Sequence, residues 1–391
     1  MSDPGPGPGP VPSVIDIEGD TLVVGRAWPR PVRDGDRVLL VEGRDGAGRL
    51  RAGRLDLRRS GTGWAVTGSR VPPPGEDSRL PGLAEAAAAG TLVVHRHGRR
   101  AVVRLDTTYV KLVRPGVGEV VARAATHGRA LARAAGFDAP TVEEVGDAQV
   151  TFGALPGPSL HELGARVPTG EWARWWGLWA AAWPALAQPA AVHAGAASLP
   201  RHSPADEAAV VRRWVQHVTD FDALPEDARR RLGQRADAVA DALDVDPAQQ
   251  PVVSHRDLHD KQVLAHANRL GLLDFDMVAL AEPALDLANL FVHAGLRADQ
   301  GHWSPSHRDI AQRTVLAVAA RMGVDLGRFE TYAEASRVRL ACLYAFRPGH
   351  RDLALGWAGT APAPRQSASP SPRRPISLSC SGRNRPSHSR S

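Results

Sequence analysis

The apolar positions of this chain change their period part way along it. Over 13–70 they fall in short runs, at 14–17, 21–24, 37–41 and 64–66, divided by Gly and Asp turns. That pattern predicts a small β module over 13–75, ending in the linker-like Pro72-Pro-Pro-Gly75. Runs at 91–94, 101–105 and 109–113 predict three more strands, with Gly98 in the turn between the first two. An Ala/Arg-rich helix is expected over about 117–135, stopped by Gly136, and another strand near 149–154. From about 170 the spacing becomes helical. Trp172, Trp175, Trp176, Trp179 and Trp183 recur on one helix face, where packing is the expected role and a stacking platform the alternative. Ser203-Pro204 opens a helix through about 218, and others are expected over 226–243, 284–296, 305–322 and 328–345. Inside this helical half, 251–276 is of another kind, with short apolar runs separated by polar residues. A strand-rich half followed by a helix-rich half, with a polar hairpin-like insert, points to two lobes and a cleft.

The two ends read as disordered. Residues 1–12 are Pro/Gly-rich, and 360–391 hold nine serines, six prolines, six arginines and no acid. The tail also explains the net charge of +6, because without its six arginines the 48 basic residues become 42, matching the 42 acids. A neutral folded part argues against a nucleic-acid partner. No apolar run reaches the roughly 18 residues of a membrane span. The first residues carry neither a basic nor an apolar signal segment, so a cytoplasmic protein is expected. Two cysteines, Cys342 and Cys380, exclude a disulfide scaffold, and no histidine spacing suggests zinc. Only two cations are lysines, Lys111 and Lys261, so each invites an explanation.

The insert carries the chemistry. Asp257 lies in a loop after one apolar run, Gln262 begins the next, and Asp274 ends a third. Carboxylates and an amide on adjacent hairpin ends can converge, as Mg²⁺-dependent phosphoryl transfer requires. Asp276 reads as an outer acid, His255 as a brace for the loop, and Asp286 as a helix cap or a brace.

Three stretches in this region resemble the aminoglycoside phosphotransferase group: His255-Arg-Asp-Leu-His-Asp-Lys-Gln-Val-Leu264, then Leu272-Leu-Asp-Phe-Asp276, then Glu282-Pro-Ala-Leu-Asp286. The segment Leu155-Pro-Gly-Pro-Ser-Leu-His-Glu-Leu163 resembles the stretch after that group's inter-lobe connector, and Gln262 is also similar to maltokinase-like sugar kinases. The resemblance spans about 91–350. It implies an α+β, two-lobed protein-kinase-like fold, with a β-rich N-lobe at 91–156 and a helical C-lobe at 157–359, preceded by the β module.

The implied activity is transfer of the ATP γ-phosphate to a hydroxyl of a sugar-like or antibiotic-like small molecule. Asp257 would be the catalytic base, Asp274 and Gln262 the Mg²⁺ ligands, and Lys111 the contact to the nucleotide phosphates. The group usually pairs that lysine with a Glu of the next helix. This chain has none between 120 and 142, which leaves Glu119 as the candidate partner and His127 about where the Glu would stand. There is no Gly-x-Gly-x-x-Gly loop, so the turn at 96–100 is expected to cover phosphates through backbone N–H groups and arginines. The missing Glu and the Gln-for-Asn change keep open a second reading, a nucleotide-binding scaffold without turnover. Residues 290–359, expected to hold most of the acceptor site, contain nine arginines and six acids, which speaks against a polycationic acceptor.

Overall fold

The computed structural model describes residues 9–359 except 18, 33–35, 62, 194–195 and 246–248. The disorder expected at 1–12 and 360–391 lies outside them for all but 9–12, where Val11 joins the core.

Strands β1 (Val14–Ile17), β2 (Asp20–Pro29), β3 (Arg37–Asp45), β4 (Leu50–Ser60) and β5 (Gly63–Arg70) form an antiparallel meander in chain order. β4 escaped the apolar pattern because arginines interrupt it, yet it alternates, with Leu55 and Leu57 buried and Arg54 and Arg58 outside. The sheet is tied to both of its neighbours. Glu42 accepts the His95 N–H at 2.7 Å, the Ala27 N–H donates to the Phe346 carbonyl at 2.9 Å, and Arg37 Nε donates to the Asp220 carbonyl at 2.8 Å.

After the short helix α1 (Leu83–Ala89) come β6 (Thr91–Arg96), β7 (Arg100–Arg104) and β8 (Thr108–Val113), then helix α2 (Gly118–Ala134), β9 (Val142–Val145) and β10 (Gln149–Gly153). These strands form a second antiparallel sheet, ordered β6-β7-β8-β10-β9. The period of two decides what each face carries. Ala101, Val103, Val110 and Leu112 pack with Leu80 and Leu83 at α1, whereas Val113 and Val150 pack under α2 with Val121 and Ala122. Lys111 lies between two α1-facing residues and therefore points the other way, toward the second lobe.

That lobe is helical: α3 (Leu160–Leu163), α4 (Thr169–Leu186), α5 (Pro204–Asp220) and α6 (Glu226–Leu243), later α7 (Ala284–Asp299), α8 (Pro305–Arg321), α9 (Leu326–Tyr344) and α10 (Arg351–Gly359). Between α6 and α7 run β11 (Val252–Ser254), the hairpin β12 (Val263–His266) and β13 (Arg269–Leu272), and β14 (Ala279–Ala281), which pairs with β11. The architecture is thus α+β, a β-rich part followed by a helical one. The tryptophans of α4 are core: Trp172, Trp176 and Trp179 are fully buried, with successive ring centroids 5.7 and 5.6 Å apart. A stacking platform for substrate is excluded there. No helix among the described residues is long and apolar enough to cross a membrane.

Candidate active site

Lys111 Nζ donates to Asp274 Oδ1 at 3.0 Å and also bonds Asp276 Oδ2. All three line a cavity of about 240 Å³ between the second sheet and the helical lobe, with Tyr109 and Phe152 on the sheet side and Leu264 and Leu273 opposite. Asp274 lies two residues after β13 with φ 62°, a left-handed conformation that costs a non-glycine residue energy and is found where surroundings enforce it. Burial alone would raise its carboxyl, but the charges of Lys111 and Arg100 outweigh that and hold it below the ordinary carboxylate range. Its Oδ2 has no protein donor among the described residues and remains available to a ligand.

The loop after β11 is held from beneath. The buried Asp286 carboxylate accepts from Ser254 Oγ at 2.8 Å, the His255 N–H at 2.6 Å and the Arg256 N–H at 2.8 Å. Arg256 is itself left-handed, φ 65°, so these bonds stabilise a backbone bend that presents Asp257. Asn289 Nδ2 supports the Leu258 carbonyl at 2.9 Å, and Arg339 Nη2 donates to Asn289 Oδ1 at 2.7 Å. His255 Nε2 lies 2.7 Å from the Leu273 carbonyl, tying this loop to the residue before Asp274, which makes His255 and Asp286 braces.

Asp260 anchors the far end of the loop. Its Oδ2 accepts from Arg297 Nε and His161 Nδ1, each at 2.8 Å. Burial opposes its ionisation, but these two partners overcome it and keep the carboxyl far below its ordinary value. Nothing in the motif spacing singled out Asp260 or Arg297, whose partnership spans 37 residues.

Asp257 is 45% exposed, with His259 Nε2 4.0 Å from its Oδ2. It lines a second cavity of about 590 Å³ with Trp214 of α5 and Arg339 of α9. Arg100 borders both cavities. Of the stretch 290–359, expected to supply most of the acceptor site, only Ser336 and Arg339 reach this wall.

Gln262 lines neither cavity. Its carbonyl accepts the Leu273 N–H at 3.0 Å, which sets it beside the residue preceding Asp274. Glu119 is exposed in the first turn of α2, and neither it nor His127 pairs with Lys111. Asp276 fills that role instead. It stands two positions after Asp274, on the far side of Phe275, a spacing that could have suggested a shared cation.

The turn between β6 and β7 is present at 97–99, but the Gly98 N–H expected to meet phosphate donates to Asp77 Oδ2 at 2.5 Å. Two groups of metal-ligand type also assemble that the histidine spacing did not suggest: Asp77 with His95 and His97, and Asp260 with His259 and His293. In the first, Asp77 Oδ2 is already engaged by Gly98 and by His95 Nε2 at 3.1 Å. In the second, the fixed Arg297 cation occupies Asp260 and opposes a metal ion.

No protein-family description matches the chain, and no curated protein matches it. Solved structures do. Aminoglycoside phosphotransferase APH(3'')-Id from Streptomyces rimosus is 23% identical, over 66% of this chain and 96% of its own, with a TM-score of 0.46. Glucosamine kinase in complex with glucosamine, ADP and inorganic phosphate is 20% identical, over 89% and 94%, with a TM-score of 0.43. The GDP and kanamycin complex of APH(2")-IIIa is 18% identical, over 68% and 88%, with a TM-score of 0.48. Two of these three structures bear the name of the group that the motif resembles, and the third is a sugar kinase.

Proposed function

We propose that the protein is a small-molecule kinase that moves the γ-phosphoryl group of ATP to a hydroxyl of a sugar-like or antibiotic-like acceptor. The observation that carries this reading is the contact between Lys111 of the sheet and Asp274 of the helical lobe, in the wall of a cavity whose neighbour is lined by Asp257. The donors suit a hard divalent cation: a carboxylate oxygen of Asp274 and the side-chain oxygen of Gln262, neither bonded within the protein among the described residues. Asp274 and Gln262 would hold Mg²⁺, which when bound neutralises phosphate charge.

In this scheme Lys111 places a compact ammonium against the nucleotide phosphates. Asp257 orients the acceptor hydroxyl and takes its proton as the new P–O bond forms and the bond to ADP breaks, so charge and protons balance. Asp286 keeps Asp257 in place, and positioning supplies much of the rate. The reading is tested by ADP release from Mg·ATP and Mg·GTP across sugars and antibiotics. Turnover is expected with at least one acceptor, and is expected to vanish in Asp257→Asn and on chelation.

A second reading, a nucleotide-binding scaffold, is favoured by the exposure of Glu119 and by Lys111 engaging both acids of the 272–276 segment. Nucleotide binding without ADP release from any acceptor would support it.

A further inference from the structure

We infer that the acceptor is an anion, a hydroxyl compound bearing a carboxylate or phosphate, held beside Asp257 by arginines. The inference rests on the kinase reading for the word acceptor, but the charge argument stands on the cavity alone.

The wall around Asp257 carries Arg96, Arg99, Arg100, Arg114, Arg256 and Arg339. It carries two acids, Asp257 and Glu207. Glu207 is already taken by His202, at 2.9 Å. Of the six guanidinium groups, Arg100 alone has a carboxylate within 4.0 Å among the described residues, Asp276 at 3.9 Å. Arg339 is bound to the neutral Asn289 side chain. Arg96 and Arg256 each bury an Nε without a hydrogen-bond partner. Buried donors left unpaired are costly, and like charges crowded together repel. Burial followed by the repulsion of Arg99 and Arg100 pushes the Arg96 guanidinium down to about 10. A folded chain that is otherwise charge-balanced has therefore gathered six guanidinium groups along one wall that carries two carboxylates.

The nucleotide does not account for all of them. Arg96, Arg99 and Arg100 sit on the β6–β7 hairpin, and of these Arg100 borders the first cavity, where it could meet phosphates of a nucleotide. Arg256 adjoins Asp257 in the chain, and Arg339 belongs to α9 in the helical lobe. Glu207, Asp286, Asp206 and Asp257 offset part of the Arg256 charge, and Glu207 part of that of Arg339, but none bonds either guanidinium, so both remain able to bond an anionic group lying against Asp257. Trp214 lines the same wall and supplies an aromatic surface against which the apolar side of a sugar ring can pack. A polycationic acceptor would meet the repulsion that the arginines already exert on each other.

The test uses the full-length protein saturated with Mg²⁺ and a non-hydrolysable ATP analogue. It is titrated calorimetrically with glucose, glucosamine, glucuronate and glucose 6-phosphate, one ring carrying different charges. One or both anions should bind about tenfold or more tightly than glucose, with glucosamine weakest. Glucuronate and glucose 6-phosphate separate a carboxylate from a phosphate preference. Arg256→Gln should reduce the anion preference to about threefold or less. Arg339→Gln provides a second variant should Arg256→Gln fail to fold. Equal binding across the series, binding of none, tightest binding of glucosamine, or an unchanged preference in the folded variants overturns the inference. Anion-selective binding with no ADP release from ATP would instead refute the kinase reading and leave the anion site standing.

Discussion

Lys111 and Asp274 are 163 residues apart in the chain and 3.0 Å apart in the structure, and their contact joins the sheet to the helical lobe. Replacing Lys111 by Met leaves Asp274 and Asp276 without their shared cation, with Arg100 3.9 Å from Asp276. We expect kcat/KM to fall by about 10²–10³, the range seen when one preorganised electrostatic contact is lost. Lys111→Arg should not restore it, because a planar guanidinium does not fit the point-charge position between two carboxylates. Steady-state kinetics on the two variants decide this.

Asp257 is half exposed and has no hydrogen bond among the described residues. Asp257→Asn should therefore leave unfolding free energy within about 0.5 kcal/mol of the parent. It should abolish phosphoryl transfer while nucleotide still binds. Denaturant titration and calorimetry beside an ADP-release assay check the three parts, and retained turnover would remove Asp257 from its role.

Asp286 behaves in the opposite way. Asp286→Ala strands the Ser254 hydroxyl and the His255 and Arg256 amides in a buried setting. Unpaired buried donors cost about 1–3 kcal/mol each, so stability and activity should fall together. Thermal unfolding is the readout.

Gly128 lies inside α2, where Ala is ordinarily better by about 1 kcal/mol. Here a Cβ would come within 2.2 Å of Phe275 Cγ. Phe275 sits between the two acids that hold Lys111. Gly128→Ala should therefore destabilise the protein and weaken nucleotide binding, reversing the usual sign. An unchanged melting temperature and nucleotide affinity would show that Phe275 can shift freely.

The Asp260 carboxyl titrates well below its unfolded value of about 3.9. The folded state thus binds fewer protons than the unfolded chain as pH falls toward 4, and stability drops with pH. Asp260 contributes fully above about pH 5, and its contribution disappears in acid. Asp260→Asn strands the Arg297 charge and should cost about 3–5 kcal/mol near neutrality. The gap between parent and variant should shrink below about pH 4, which unfolding curves at several pH values can read.

The strand β8, the spacing of α4 to α9 and the insert at 251–276 were legible along the chain, because local period and turn chemistry are written in neighbouring residues. The arginine-interrupted β4 and the short α1 were not, since too few apolar positions repeat in them. Asp257, Gln262 and Asp274 could be picked out by residue type and order, yet order alone does not say who partners whom. Glu119 was the only glutamate offered by the helix after Lys111, and the fold gave the lysine Asp276 instead. A guanidinium cluster drawn from the hairpin, the 256 position and α9 likewise has no signature along the chain, because its members are distant there and charge sums only through space. The residue types and local elements were thus determined by the sequence itself. The pairings, the buried brace of Asp286 and the sign of charge around Asp257 were decided by long-range packing.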